Sequence, residues 1–321
     1  MKAVLAGISL IGGLGLAGCS GLPNEPVSGE ISTVTAMECG QLDVQLVPHE
    51  EGVLLQAGTE EYLLAPTRSA SGARYALPVD PSTWFWSSGE RALLETGGRR
   101  WPECVMAGGL TEPFSAQGNE PFWRVSVADD KLRVEELDGQ ALVADVRVVN
   151  KTSSGRTLVG DNTDQSVEVA VARQLCRDSM SGMPHPYQVR LTLNGDVRNG
   201  CGGDPALLLR GVEWTVEAID GSAVLADSRV NLTFLADNRV AGKASCNNFM
   251  GGYELSGEGL AFSQTATTLM ACAPALMQQE DRFLKLLAEV ARFDFDARGK
   301  LVLQTADGRT LTAQSRQTLG R

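Results

Sequence analysis

Apolar and polar residues alternate with a period of two along most of this chain. Leu42, Val44 and Leu46 alternate with Asp43 and Gln45, and Trp123, Val125 and Val127 alternate with Arg124 and Ser126. Tyr187, Val189, Leu191 and Leu193 repeat the pattern, as do Val230, Leu232 and Phe234. Successive side chains of a strand point to opposite faces, so each run predicts a strand with one buried face. The runs are short and are punctuated by 35 glycines and 13 prolines. One stretch departs from this period. From Pro274 to about Ala291, the residues Leu276, Phe283, Leu284, Leu287 and Val290 recur at helical spacing, and Pro274 suits a first turn. The pattern predicts a mostly β, multi-domain chain: an all-β module over residues 35–107, a β-rich module over 108–206 and an α+β module over 207–321.

The first residues follow neither period. Lys2 is followed by an uncharged run from Ala3 to Gly18, too short to span a bilayer comfortably but suited to a cleaved signal segment over residues 1–18. The run ends in Leu16-Ala17-Gly18-Cys19, the pattern of a bacterial lipobox, in which the cysteine is acylated and becomes the mature N-terminus. Cys19 is therefore the expected lipidation site, and residues 19–34, broken by Pro23, Pro26, Gly21 and Gly29, are expected to form a tether too polar to pack. Ser20 after the cysteine resembles lipoproteins of the outer membrane, facing the periplasm. Gly13, Gly15 and Gly18 fit a dinucleotide-binding spacing, but no strand, turn and helix follow to make one.

Cys19 aside, six cysteines remain: Cys39, Cys104, Cys176, Cys201, Cys246 and Cys272. An even number in an oxidising compartment favours disulfides. Counting allows many connectivities; one bridge per module pairs Cys39 with Cys104, Cys176 with Cys201 and Cys246 with Cys272. Loops of those lengths would stabilise each module by about 3–4.5 kcal/mol in the chain-entropy model. A zinc site is disfavoured, because the chain has no C-x-x-C and only His49 and His185 as imidazoles.

The formal net charge is −11, unevenly placed. Residues 35–107 hold ten acids and five arginines. No basic stripe is present, so nucleic acid is excluded as a partner, whereas an acidic face attracts a basic protein.

The first module carries Met37-Glu38-Cys39-Gly40, then Ser69-Ala70-Ser71-Gly72-Ala73-Arg74-Tyr75, then Trp84-Phe85-Trp86-Ser87-Ser88-Gly89-Glu90-Arg91, and closes at Cys104. In its bracketing cysteines, its S-G-x-x-Y motif and its aromatic-to-glycine turn it resembles the membrane-bound inhibitors of c-type lysozyme (MliC). The resemblance implies a small antiparallel β-barrel, c-type lysozyme as partner, and Ser71, Gly72, Tyr75 and Ser88 as the lysozyme-binding positions. A lysozyme cleft works with two carboxylates, and a serine hydroxyl on a tight turn can satisfy them without offering a scissile bond; Gly72 allows the close approach. The family places a lysine where this chain has Ser88, and no lysine occurs between Lys2 and Lys131. Arg74 or Arg91 could stand in, although a guanidinium is not equivalent to an ammonium.

Around Gly118-Asn119-Glu120-Pro121-Phe122-Trp123 and the Cys176 to Cys201 loop, the chain resembles a module of bacterial envelope lipoproteins. Asp178, Ser181 and His185 could be read as a triad, but they crowd into one Pro- and Gly-rich loop without a nucleophile elbow; a disulfide-closed loop with capping side chains accounts for them better. From Leu207 the chain resembles a META domain, the type found in the heat-shock lipoprotein HslJ. The carrying residues are Trp214, Gly242-Lys243-Ala244-Ser245-Cys246-Asn247-Asn248-Phe249, Gly252-Tyr253 and Thr267-Thr268-Leu269-Met270-Ala271-Cys272. The resemblance implies a twisted sheet with one packed helix and no defined reaction; Asn247 and Asn248 are expected to fix turn geometry. The reading that follows is a non-enzymatic envelope lipoprotein that inhibits c-type lysozyme, without cofactor or metal. The alternative is a structural or stress-response lipoprotein acting through its META module, its lysozyme inhibition weakened or lost.

Overall fold

The computed structural model describes residues 31–137, 139–161, 166–257 and 259–315. The signal segment, the lipobox and Cys19 lie outside the described residues. Within them the chain is mostly β and multi-domain, as the alternating pattern predicts.

The first unit is a closed antiparallel barrel. Strands follow one another as neighbours from Thr35–Cys39 to Arg91–Thr96, and Cys104–Met106 pairs with both Arg91–Thr96 and Thr35–Cys39, which closes the ring. Closure leaves the sheet without long free edges. Leu42, Val44 and Leu46 point inward and are buried with Phe85, Leu64 and Leu94. Ile31, expected in a tether that does not pack, instead lies against this core, and its N–H donates to the Tyr75 hydroxyl at 3.0 Å. An apolar side chain beside an exposed core edge is drawn onto it, whatever the polarity of its neighbours.

The second unit, expected only to be β-rich, is a second closed barrel of eight strands, from Phe114–Asn119 round to Asp196–Gly202. Its inward positions, Trp123, Val125, Val127, Val189 and Leu191 among them, are all buried. Two glycines make room for the largest of these. A Cβ on Gly118 would fall 2.3 Å from the Trp123 indole nitrogen, and one on Gly200 would fall 2.6 Å from its ring carbon Cζ2.

The third unit is a sheet whose strands run in the order Gly259–Phe262, Asn248–Ser256, Arg239–Ser245, Arg229–Phe234, Trp214–Ile219, Thr310–Ser315, Leu301–Thr305, Val290–Phe295. One helix, Pro274–Ala288, packs on it and buries Phe283, Leu286 and Leu287 against Phe249 and its neighbours. The helix was expected to run to about Ala291. It stops at Ala288, and Val290 opens a strand instead, its side chain buried in the same core. Val290 continues the helical spacing from Leu287, but pairing with Leu301–Thr305 takes it into a strand, and a bulge between Val290 and Arg292 lets Val290 and Phe293 share the buried side.

Each unit holds one disulfide: Cys39–Cys104, Cys176–Cys201 and Cys246–Cys272, with Cα–Cα distances of 4.0, 5.5 and 6.0 Å. The units also touch one another. The backbone N–H of Gln41 donates to the Arg210 carbonyl at 2.8 Å, joining the first unit to the third. Arg177 donates to Asp294 at 3.0 Å and to the Phe295 carbonyl at 3.1 Å, joining the second to the third. Met183 of the second unit is buried in the third unit's core.

Candidate functional site

Two turns of the first barrel meet at one end. The strands Glu60–Thr67 and Ala73–Leu77 are joined by the bend carrying Ser69, Ser71 and Gly72, and Asp80–Ser88 turns into Arg91–Thr96 through Gly89 and Glu90. Ala73 pairs with Ser87, so the turns lie side by side. Gly72 has φ +65°, and a Cβ there would sit 2.1 Å from the Ser87 carbonyl oxygen. Its lack of a side chain is what lets the first turn press on the second.

Trp86 holds the first bend from below. Its indole N–H donates to the Ser71 carbonyl at 2.8 Å and lies 3.2 Å from the Ser69 hydroxyl, which itself donates to the Ser71 carbonyl at 2.5 Å. The backbone of Ser71 is thus pinned while its side chain stays exposed. Ser88 is exposed as well, and neither hydroxyl has a partner within the described residues. Tyr75 occupies a different place. It is 2 % exposed, packed in the barrel core, with its hydroxyl taken by Ile31. It was expected among the lysozyme-binding positions; burial makes it a support beneath the turns and keeps it out of reach of a partner.

The charges around the turns bear on a second expectation. Arg91 is held by Glu112 at 2.9 Å and Glu103 at 3.5 Å, and Arg74 lies over the Trp84 ring at 5.2 Å. Both are engaged by groups of the chain itself. The cations beside the second turn come from the neighbouring barrel. Glu90 pairs with Lys151, and with Arg156 at 2.7 Å. Arg156 also donates to the Gly108 carbonyl at 2.6 Å. Hydrogen bonds from Lys151 hold the Glu90 carboxyl below the usual glutamate range, with Arg156 acting in the same direction against partial burial. Motif reading missed both cations, because nothing in the local sequence links the hairpin of Leu142–Thr152 and Gly155–Asp161 to a turn some sixty residues earlier.

Residues 38–101 match the family model for the membrane-bound lysozyme-inhibitor of c-type lysozyme. Residues 207–318 match the model for the META domain. The chain carries an MliC domain and a META domain. Neither match extends over the middle barrel. No curated protein is similar to the chain at a significant level. Among solved structures, an NMR structure of a protein from Burkholderia xenovorans is 26% identical, covering 35% of this chain and 88% of that one, with a TM-score of 0.30. A second NMR structure is 29% identical over 35% of this chain and 95% of its own length, also with a TM-score of 0.30.

In the META domain the sequence-marked asparagine does turn work. Asn247 is 2 % exposed; its amide donates to Glu280 at 2.8 Å and to the Met270 carbonyl at 3.2 Å, and its oxygen accepts from Met270 N–H at 2.7 Å and Thr268 at 2.8 Å. Glu280, from the helix, accepts from the backbone N–H groups of Asn247 at 2.6 Å and Cys246 at 3.1 Å. Every polar atom of Asn247 is engaged, which leaves no group for a ligand. In the middle barrel, the Ser181 hydroxyl donates to Asp178 at 3.0 Å, while His185 contacts the Gly203 carbonyl at 3.0 Å. Asp178 also accepts from Asn119 at 2.9 Å and from the N–H groups of Met180 and Ser181 at 3.0 and 2.8 Å, so it caps its own loop and orients no histidine.

Proposed function

We propose that this chain is an envelope lipoprotein that inhibits c-type lysozyme through its MliC domain, by presenting Ser71 and Ser88 to the carboxylates of the enzyme's cleft. The observation that carries the reading is the pair of exposed, partnerless hydroxyls on two turns held together by Gly72 and Trp86. Such a pair is prepared to donate to a carboxylate, or to accept from a protonated carboxyl, with little rearrangement, and preorganisation is what keeps the cost of binding low. No scissile bond is presented, so the enzyme would be occupied without turnover.

The test is the lysis of a cell-wall suspension by a c-type lysozyme with the purified chain added. Wild type should inhibit, Ser71→Ala should weaken inhibition about tenfold, as loss of a hydrogen bond to a charged group does, and Ser88→Lys should strengthen it. Inhibition unchanged in both variants would move the contact to another face of the domain. The anchor in this reading is acylated Cys19, with Ser20 directing the protein to the outer membrane on its periplasmic side. Palmitate labelling that persists in Cys19→Ser would refute it.

A further inference from the structure

We propose that the lysozyme-facing surface is shared between two domains: the tip of the middle barrel's hairpin, through Lys151, supplies the positive charge beside Ser88. The inference rests on the reading above and names the part of the partner's cleft that this charge would meet.

Two acidic groups work in a lysozyme cleft, so a surface complementary to it places positive charge next to its hydroxyls. The first barrel is poor in such charge. Of its five arginines, Arg91 is held by two glutamates, Arg74 and Arg100 lie over Trp84, and Arg99 lies over Trp101 at 4.2 Å. Arg68, beside the first turn, is exposed and makes no ion pair within the described residues. It is a long side chain free to rotate, and holding it in one place costs rotamer entropy on binding.

Lys151 differs on both counts. It is partly exposed, at 33 %, and it is already fixed against Glu90, two residues after Ser88. Arg156, at 11 % exposure, holds the same carboxylate. One carboxylate faced by two cations leaves a surplus of one positive charge at the turn. Because Arg156 is the more deeply placed and also binds Gly108, it can keep Glu90 in position while the Lys151 ammonium turns to a carboxylate of the partner. The geometry makes Lys151 a recognition residue on a domain that the inhibitor-family match does not cover.

The experiment compares inhibition constants of the full chain with the same lysozyme at several ionic strengths, for wild type, Lys151→Met, Arg68→Met, Glu90→Gln and the double variant Lys151→Met with Ser88→Lys. Lys151→Met should weaken inhibition about tenfold and flatten its salt dependence, since a desolvated charge contact is lost. Arg68→Met should change it less. Glu90→Gln removes the contact that places the ammonium but keeps its charge, so inhibition should fall less than in Lys151→Met and its salt dependence should persist. The double variant should recover, because the charge returns on the turn itself. Equal inhibition by wild type and Lys151→Met, or a larger loss in Arg68→Met, overturns the shared surface and leaves the MliC-domain reading standing. Loss in Glu90→Gln as large as in Lys151→Met also overturns it, since the contact between barrels would then matter and not the charge. Absence of inhibition by wild type overturns both readings.

Discussion

Gly72 and Gly89 offer a matched pair of perturbations, because their backbones are alike and their surroundings are not. Both are left-handed, with φ of +65° and +60°. Alanine in that conformation costs about 1–2 kcal/mol at either position. At Gly89 nothing lies within 4 Å of the added methyl, so that strain is the whole effect. At Gly72 the methyl would fall 2.1 Å from the Ser87 carbonyl oxygen and 3.2 Å from the Trp86 indole nitrogen. A backbone carbonyl in a paired strand cannot swing aside as a flexible side chain could. Overpacking of this kind adds roughly 1–3 kcal/mol. Gly72→Ala should therefore destabilise the first barrel by about 2–5 kcal/mol and Gly89→Ala by about 1–2 kcal/mol. Trp84, Trp86 and Trp101 lie in this barrel, so its unfolding can be followed by tryptophan fluorescence in a denaturant titration, with Trp123 and Trp214 reporting the other two units. The turns themselves should part in Gly72→Ala, and inhibition should fall further than the fraction unfolded accounts for. Equal midpoints for the two variants would show that the turns are not pressed together, and the account of the site would fail with them.

Removing the Glu280 carboxylate should strand two buried N–H donors and part of the Asn247 amide. Glu280→Ala should cost the META domain about 3 kcal/mol, read from the Trp214 signal, whereas substitutions at exposed Asn248 should be near neutral; a mild Glu280→Ala would show the network to be incidental. The contact between the first two barrels should depend on pH. The folded-state pKa of Glu90 is lowered, chiefly by Lys151, so its stabilisation is complete above the ordinary glutamate range and is lost as the pH falls through the lowered value. Protection of the Glu90 and Lys151 amides from hydrogen exchange, taken relative to the unfolded rate at each pH, should fall only below the ordinary glutamate range, and Glu90→Gln should abolish that dependence; protection indifferent to pH there in wild type would contradict the pairing.

What the linear order of residues determines here is local. Leu42, Val44 and Leu46, or Val230, Leu232 and Phe234, declare a strand and its buried face because side-chain direction alternates with every residue, whatever the strand pairs with. The helix from Pro274 follows from spacing in the same way, whereas the cysteine pairing follows only on the premise of one bridge per module, which the structure meets. The hydroxyl-bearing turn at Ser71-Gly72 is legible too, as a motif. What a residue contributes once neighbours arrive from elsewhere is a different matter. Val290 fits the helical period, yet strand pairing takes it and a bulge keeps it on the buried side with Phe293. Tyr75 reads as part of a binding motif, yet the barrel closes over it. Gln279 and Glu280 stand as polar residues on the same helix face as Leu276, Phe283 and Leu287, and both are buried because partners from elsewhere meet them there: Leu225, Ser228 and Ser245 bond Gln279, and the Cys246 and Asn247 N–H groups donate to Glu280. The cations that meet Glu90 at the second turn come from a hairpin of the next barrel, and Arg91, the nearest guanidinium in the sequence, is drawn off by Glu112. Periodicity is written within a few residues, whereas closure of a barrel and docking of one barrel on another join residues sixty or more apart, and only the folded chain brings those together.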